Sequence, residues 1–232
     1  MKHIYLITII SLLISCSPKQ EIKLTKLIGS PEYSDSELKL SSVSGEYDFS
    51  FDIMNYNLGE QTKDAIENGL ANSAKGQHIH FIINNDPYSA HYDSNFSKEL
   101  KDDNNVILAF LSRSYHESVK NPNAFILTQI GESKIDLDNE FLFYSRPKGT
   151  YKGKDTEKLL LDFYLINTTI SPYGNKVKAT INDTEFIITE WSPYYLEGLK
   201  KGEVKIKLEL INSEGKLIDS PFNPSIRTVN LE

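Results

Sequence analysis

The chain has 232 residues, 25 lysines and arginines against 32 aspartates and glutamates, a formal charge of −7 and one cysteine. An acidic balance argues against a nucleic-acid partner, because that binding rests on basic side chains neutralising phosphates. With no pair of cysteines there is no disulfide framework, so stability has to come from buried apolar surface.

Met1 to Ser15 reads as a lipoprotein signal peptide. A short basic start, Lys2 and His3, precedes the apolar run Ile4 to Ile14, too short for a transmembrane helix of about 20 residues. The run ends in Leu13-Ile14-Ser15-Cys16, which resembles the bacterial lipobox, with the single cysteine at its required place. That resemblance implies cleavage before Cys16 and lipidation of Cys16, with membrane anchoring through two or more acyl chains. The expected location is the bacterial cell envelope, at the outer membrane, facing either the periplasm or the outside. Residues 16–20 carry the anchor and a short tether.

From residue 21 onward helical periodicity is scarce. Alternating runs rich in Ile, Val, Phe, Tyr and Thr predict strands near 22–28, 37–42, 46–56, 77–83, 87–92, 105–112 and 124–130. A second set is predicted near 135–144, 157–167, 175–181, 184–191, 194–198, 203–211 and 225–231. The sets repeat one another. HIHFIINNDPYSAHY lies against KVKATINDTEFIITEW with Asn84 on Asn182, a shift of 98, and Val106 falls on Val204 at the same shift. Ile126 and Thr128 match Ile226 and Thr228, and Asp52 and Asn57 match Asp162 and Asn167 at a shift of 110. The chain thus reads as a tandem duplication, 21–131 and 132–232. The first copy gains 12 residues (110 − 98) within Leu58 to Gly76, where a turn or two of helix fits Lys63 to Leu70.

Seven short strands per copy, with a Leu-x-x-Gly corner after Tyr194-Tyr195-Leu196, resemble fibronectin type III and immunoglobulin-like sandwiches with strands A, B, C, C′, E, F and G. The predicted fold class is all-β, two tandem immunoglobulin or fibronectin-III-like β-sandwiches after a lipoprotein signal peptide. On GQHIHFIINNDPYSAHY, FLSRSYHESVK, LLLDFYLINT and PFNPSIRT, the mature chain resembles a group of uncharacterised two-repeat envelope lipoproteins of Bacteroidetes-like bacteria. Some of these carry the label phosphopeptide-binding protein. The resemblance bears on compartment and architecture.

The stretch Gln77 to Tyr92 holds three of the five histidines. A tight turn at Asn84-Asn85 sets opposed residues to numbers summing to 169, with His78 across from His91 and His80 across from Ser89. In the second copy a turn at Asn182-Asp183 sets the sum to 365 and puts Val177, Ala179, Ile181, Phe186 and Ile188 on the core face. Transferred to the first copy, that register points Ile79, Phe81, Ile83, Tyr88 and Ala90 inward and the histidines outward.

One reading is a wet sheet face with histidine in place of lysine. The other is a copper or zinc site of His78, His80 and His91, with His116 as a fourth ligand, since neutral imidazoles two apart on a strand and across it can share one ion. The B–C insertion and the loops 93–105 and 112–123 cluster at one end of the first sandwich. Tyr92, Arg113, Tyr115 and His116 are there the candidate contacts for a protein, peptide or small ligand, with Arg113 able to receive a phosphate or carboxylate bidentately. No Gly-x-Ser-x-Gly elbow is present, and the Asp52/Asp162 pair is read as satisfying backbone groups rather than calcium. The sequence therefore points to a non-enzymatic envelope lipoprotein, a binding or adaptor module, with metal binding as the alternative.

Overall fold

The computed structural model describes residues 21–232 except 46, 64, 66, 101–103, 133 and 134. Cys16 and the lipobox lie outside the described residues. In chain order the strands are β1 (Lys23–Lys26), β2 (Glu37–Ser44), β3 (Asp48–Met54), β4 (His78–Ile83), β5 (Ser89–His91), β6 (Asn95–Ser97), β7 (Asn104–Ser112) and β8 (Phe125–Gly131). They continue with β9 (Phe141–Arg146), β10 (Thr150–Tyr151), β11 (Leu159–Ile166), β12 (Lys176–Ile181), β13 (Thr184–Ile188), β14 (Tyr194–Glu197), β15 (Gly202–Ile211) and β16 (Ser225–Leu231). Among the described residues no helix is long and apolar enough to cross a membrane. None of the described residues between Lys63 and Leu70 is helical; they form turns and irregular backbone.

The protein is all-β and built as two tandem sandwiches. In the first, the sheet β2-β3-β6 faces the sheet β5-β4-β7-β8; in the second, β14-β11-β9 faces β13-β12-β15-β16. Element by element these are the same seven strands in the same order. The core of the first copy is Leu38, Phe49, Phe51, Ile79, Phe81, Ile107, Ala109 and Leu111. That of the second includes Leu161, Phe163, Val177, Ala179, Ile206 and Leu208. Alternate residues of each strand face these cores, as a two-residue period requires.

Matching turns correct the spacing of the repeat. Asn55 and Asn167 both adopt positive φ, at 53° and 55°, and both give their side-chain amide to carbonyls of the loop before the preceding strand. Their shift is 112, so Asn167 pairs with Asn55 rather than Asn57, and the first copy's insertion is 14 residues (112 − 98). The Asn84 side chain accepts from the Val106 N–H as Asn182 accepts from Lys205, which moves β7 to a shift of 99 and pairs Val106 with Lys205 rather than Val204.

Two strands fall outside the sevenfold pattern. β10 adds in parallel to β16. β1, read from sequence as the opening strand of the first sandwich, pairs antiparallel with β14 of the second. Leu24 and Leu27 carry the apolar side of this segment: Leu24 packs on the second core, and Leu27 packs with Leu160 of β11. The chain therefore crosses the second sandwich before it builds the first.

The sandwiches pack face against face. Ile82, Tyr88, Val106, Leu108 and Phe110 of the first meet Phe141, Phe143, Tyr164 and Ile166 of the second in one buried cluster. Five buried side chains on one side and four on the other, at about 1.5–3 kcal/mol for each large apolar side chain, make this junction a core in its own right. The insertion helps to close it: Ala65 and Leu70 pack with Tyr115, Leu27 and Leu160, and Lys158 donates to the Asn68 carbonyl at 2.6 Å.

Candidate metal centre

The hairpin that carries the histidines turns where expected. Asn84 and Asn85 have φ of 47° and 58°, and the Asp86 N–H reaches the Ile83 carbonyl at 2.8 Å. Beyond the turn the strands run one residue out of the expected register: Ile79 opposes His91, His80 opposes Ala90 and Phe81 opposes Ser89, a sum of 170. Pro87 explains the slip. It has no N–H for the ladder, so pairing resumes at Ser89 and each side chain of β5 changes face. The second copy has no proline there and keeps the sum of 365.

The slip removes His91 from the metal candidates. Its ring stacks on Phe96 at 3.5 Å and meets the edge of Phe81 at 5.9 Å, on the core side of the sheet. Burial pushes its pKa down to about 4. The same slip brings Tyr88, expected in the core of the first sandwich, to the opposite face, where it stacks on His80 at 3.4 Å. That face is not wet. His78 and His80 are fully buried, at 0 % exposure, because the second sandwich covers them.

His78, His80 and His116 converge, with one nitrogen from each lying within 4.8 Å of the others, and together they could hold a metal ion. His78 Nε2 lies 3.0 Å from His80 Nε2 and 3.0 Å from His116 Nδ1. Neighbouring nitrogens of a tetrahedral site with bonds of about 2.0–2.1 Å are roughly 3.3 Å apart, close to the two separations that His78 makes.

Protonation follows from the outer partners. His78 Nδ1 is 2.8 Å from the Gly76 carbonyl; a carbonyl only accepts, so the proton sits on Nδ1 and Nε2 offers a lone pair to the centre. A single lone pair cannot accept in-line from two neighbouring imidazoles at once, and a cation satisfies all three nitrogens. His80 Nδ1 lies 3.2 Å from Ser145 Oγ of β9, and its Nε2 lies 3.1 Å from Ser112 Oγ. His116 Nδ1 also meets Tyr88 Oη at 3.1 Å.

Burial, first of all, keeps these rings neutral. It lowers His78 to about 4 and pushes His80 and His116 down as well, with the cations Arg146 and Lys148 adding to the effect in all three. Neutral imidazole is the ligand form.

His116 sits in the turn between β7 and β8 with φ of 71°. Its N–H bonds the Arg113 carbonyl at 2.8 Å, while the Arg113 N–H bonds Glu117 at 2.9 Å. The second copy has the same turn, Gly215 to Asn212 at 3.0 Å and Asn212 to Lys216 at 2.9 Å, with Gly215 at φ 80°. Histidine thus occupies a left-handed position that the other copy fills with glycine.

The remaining candidate contacts have partners within the fold. Arg113 is buried, ion-paired to Glu117 at 3.0 Å and bonded to the carbonyls of Ser118 and Pro31. Its fork is engaged by these internal partners. Tyr115 is buried between the insertion and Leu160. Tyr92 is half-buried, its ring 5.0 Å from His78 and its hydroxyl 2.7 Å from Ser73 Oγ. Ser145, Arg146 and Lys148 border the centre without having been singled out from sequence, and Tyr88, assigned from sequence to the first core, joins them; the proline at 87 was the available signal for Tyr88.

No family model matches the chain, and no curated protein does. Among solved structures, the fibronectin(III)-like modules of Clostridium thermocellum CbhA align over 85% of this chain and 94% of theirs, at 12% identity and a TM-score of 0.31. The central fibronectin-III array of RIM-binding protein aligns over 87% and 68%, at 8% identity and a TM-score of 0.28. The two tandem V-type regions of a v-region-containing chitin binding protein align over 85% and 99%, at 7% identity and a TM-score of 0.25. The sandwich assignment rests on the strand pairing described above.

Proposed function

We propose that this chain is a lipid-anchored protein of the bacterial cell envelope that binds one copper or zinc ion through His78, His80 and His116. The observation that carries the metal reading is His116, a β-carbon-bearing residue at φ 71° where glycine serves in the equivalent turn. A left-handed conformation costs such a residue about 1–2 kcal/mol, and what it gains is an imidazole nitrogen 3.0 Å from His78. Three neutral nitrogen ligands with oriented outer partners suit zinc or copper rather than calcium or magnesium. Cys16, as a lipidated residue, supplies the envelope address.

Calorimetry and elemental analysis of the soluble chain from residue 21 onward test the metal reading. One equivalent of copper or zinc is expected, lost in His78→Ala and kept in His91→Ala. Absence of uptake by the wild type, or equal loss in both variants, overturns it.

A further inference from the structure

The charge around the three histidines is one-sided. Arg146 and Lys148, from the second sandwich, lie over the Tyr88 ring at 5.4 and 3.8 Å, and His80 stacks on that same ring at 3.4 Å. Arg146 is 8 % exposed; it donates to Tyr151 Oη at 2.7 Å, and its Nε is buried without a partner. Neither cation has a carboxylate partner among the described residues, and the group of potential ligands contains no Asp or Glu. A divalent ion on three neutral imidazoles would add two positive charges to the two already present. In the low dielectric of a domain junction that sum is costly.

We infer that the metal on His78, His80 and His116 takes a small anion, a carboxylate or an inorganic anion, as its fourth ligand, selected by the field of Arg146 and Lys148. The inference rests on the metal reading above. Three protein ligands leave a coordination position open. His116 and Tyr92 are only half-buried while His78 and His80 are enclosed, so the cluster is nearest to solvent on the His116 side. The cations act oppositely on the two partners: they repel the bare metal and attract the anion, so the site favours metal and anion together over metal alone.

The test uses copper(II) as the metal and azide as the probe anion. Azide added to the copper-loaded protein is expected to give a ligand-to-metal charge-transfer absorption and an altered electron paramagnetic spectrum. In Lys148→Met the azide affinity falls about tenfold, while copper in anion-free buffer binds as tightly or more tightly. Lys148 donates to the Tyr88 carbonyl at 2.6 Å; Lys148→Gln, which keeps a polar tip there, gives the same pair of changes if charge is the cause. Copper uptake with no azide response, or equal azide affinity in wild type and both variants, overturns the anion inference and leaves the metal reading standing. Absence of copper uptake overturns both.

Discussion

Ser118 gives both its backbone N–H and its hydroxyl to the carboxylate of Asp162, each at 3.1 Å. Ser118 belongs to the turn that presents His116, and Asp162 lies on β11 of the other sandwich. The Lys120 ammonium completes the shell at 2.6 Å, and Asp162 is fully buried. Removing one partner of a buried, hydrogen-bonded ion pair costs about 3–5 kcal/mol. Asp162→Asn is therefore expected to lower unfolding stability by roughly that amount, read in urea titrations. Amide exchange should rise in the 112–124 turn. A loss under about 1 kcal/mol would mean that the junction does not depend on this contact.

His116→Gly separates the fold from the site. Glycine adopts the turn freely, as Gly215 does at φ 80°, so the variant should match or exceed the wild type in metal-free stability by up to about 1 kcal/mol. It should bind copper or zinc at least tenfold more weakly, a loss of about 1.4 kcal/mol. Calorimetry of the two proteins checks both halves. A variant that binds metal normally removes His116 from the ligand set.

The fold was legible because strand periodicity and turn residues are local. Each predicted strand has a counterpart, and the two short elements that were missed, β6 and β10, have three and two residues, too few to show a period. The His78, His80 and His116 grouping was partly legible, since a His-x-His strand places two rings on one side. Two things were not. Pro87 shifted the ladder by one residue and moved His91 and Tyr88 to opposite faces, an effect that no turn type predicts. The polar face looked wet because its covering, Phe141, Phe143 and Tyr164, lies 61 (141 − 80) to 86 (164 − 78) residues away in the chain. Arg113 looked available for a related reason: Pro31, which accepts from its guanidinium, lies 82 residues away and is brought in only by tertiary packing.

Acid should weaken the metal-free protein. His78 has its pKa lowered from 6.5 to about 4 by burial, so below pH 6.5 the unfolded chain takes up a proton that the folded one refuses. Stability is thus fully present above pH 6.5 and falls as the pH drops toward 4. At 1.36 kcal/mol per pKa unit His78 alone accounts for about 3 kcal/mol, and His80 and His116 act in the same direction. Denaturant titrations after chelation, at pH 7.5 and 4.5, measure the difference. Stability that is flat across that window would show that the three rings are not buried in the neutral form.

Gly198 tests the crossing of the N-terminal segment onto the second sandwich. It follows β14 at φ 77°, and a β-carbon built there would lie 2.1 Å from the Glu21 carbonyl oxygen. That oxygen belongs to backbone leading into β1, so it can retreat only by pulling the strand away. Gly198→Ala combines this clash with a left-handed conformation that disfavours alanine by about 1–2 kcal/mol. The expected result is detachment of β1, with faster amide exchange at Lys23–Lys26 and along the exposed edge of β14. The first sandwich should keep its protection, because β2 to β8 make no ladder with β1. Should exchange rise equally in both sandwiches, β1 holds the whole junction through Leu27 and Tyr115 and not merely the edge it pairs with. Unchanged exchange at residues 23–26 would show that the segment does not approach Gly198 in solution.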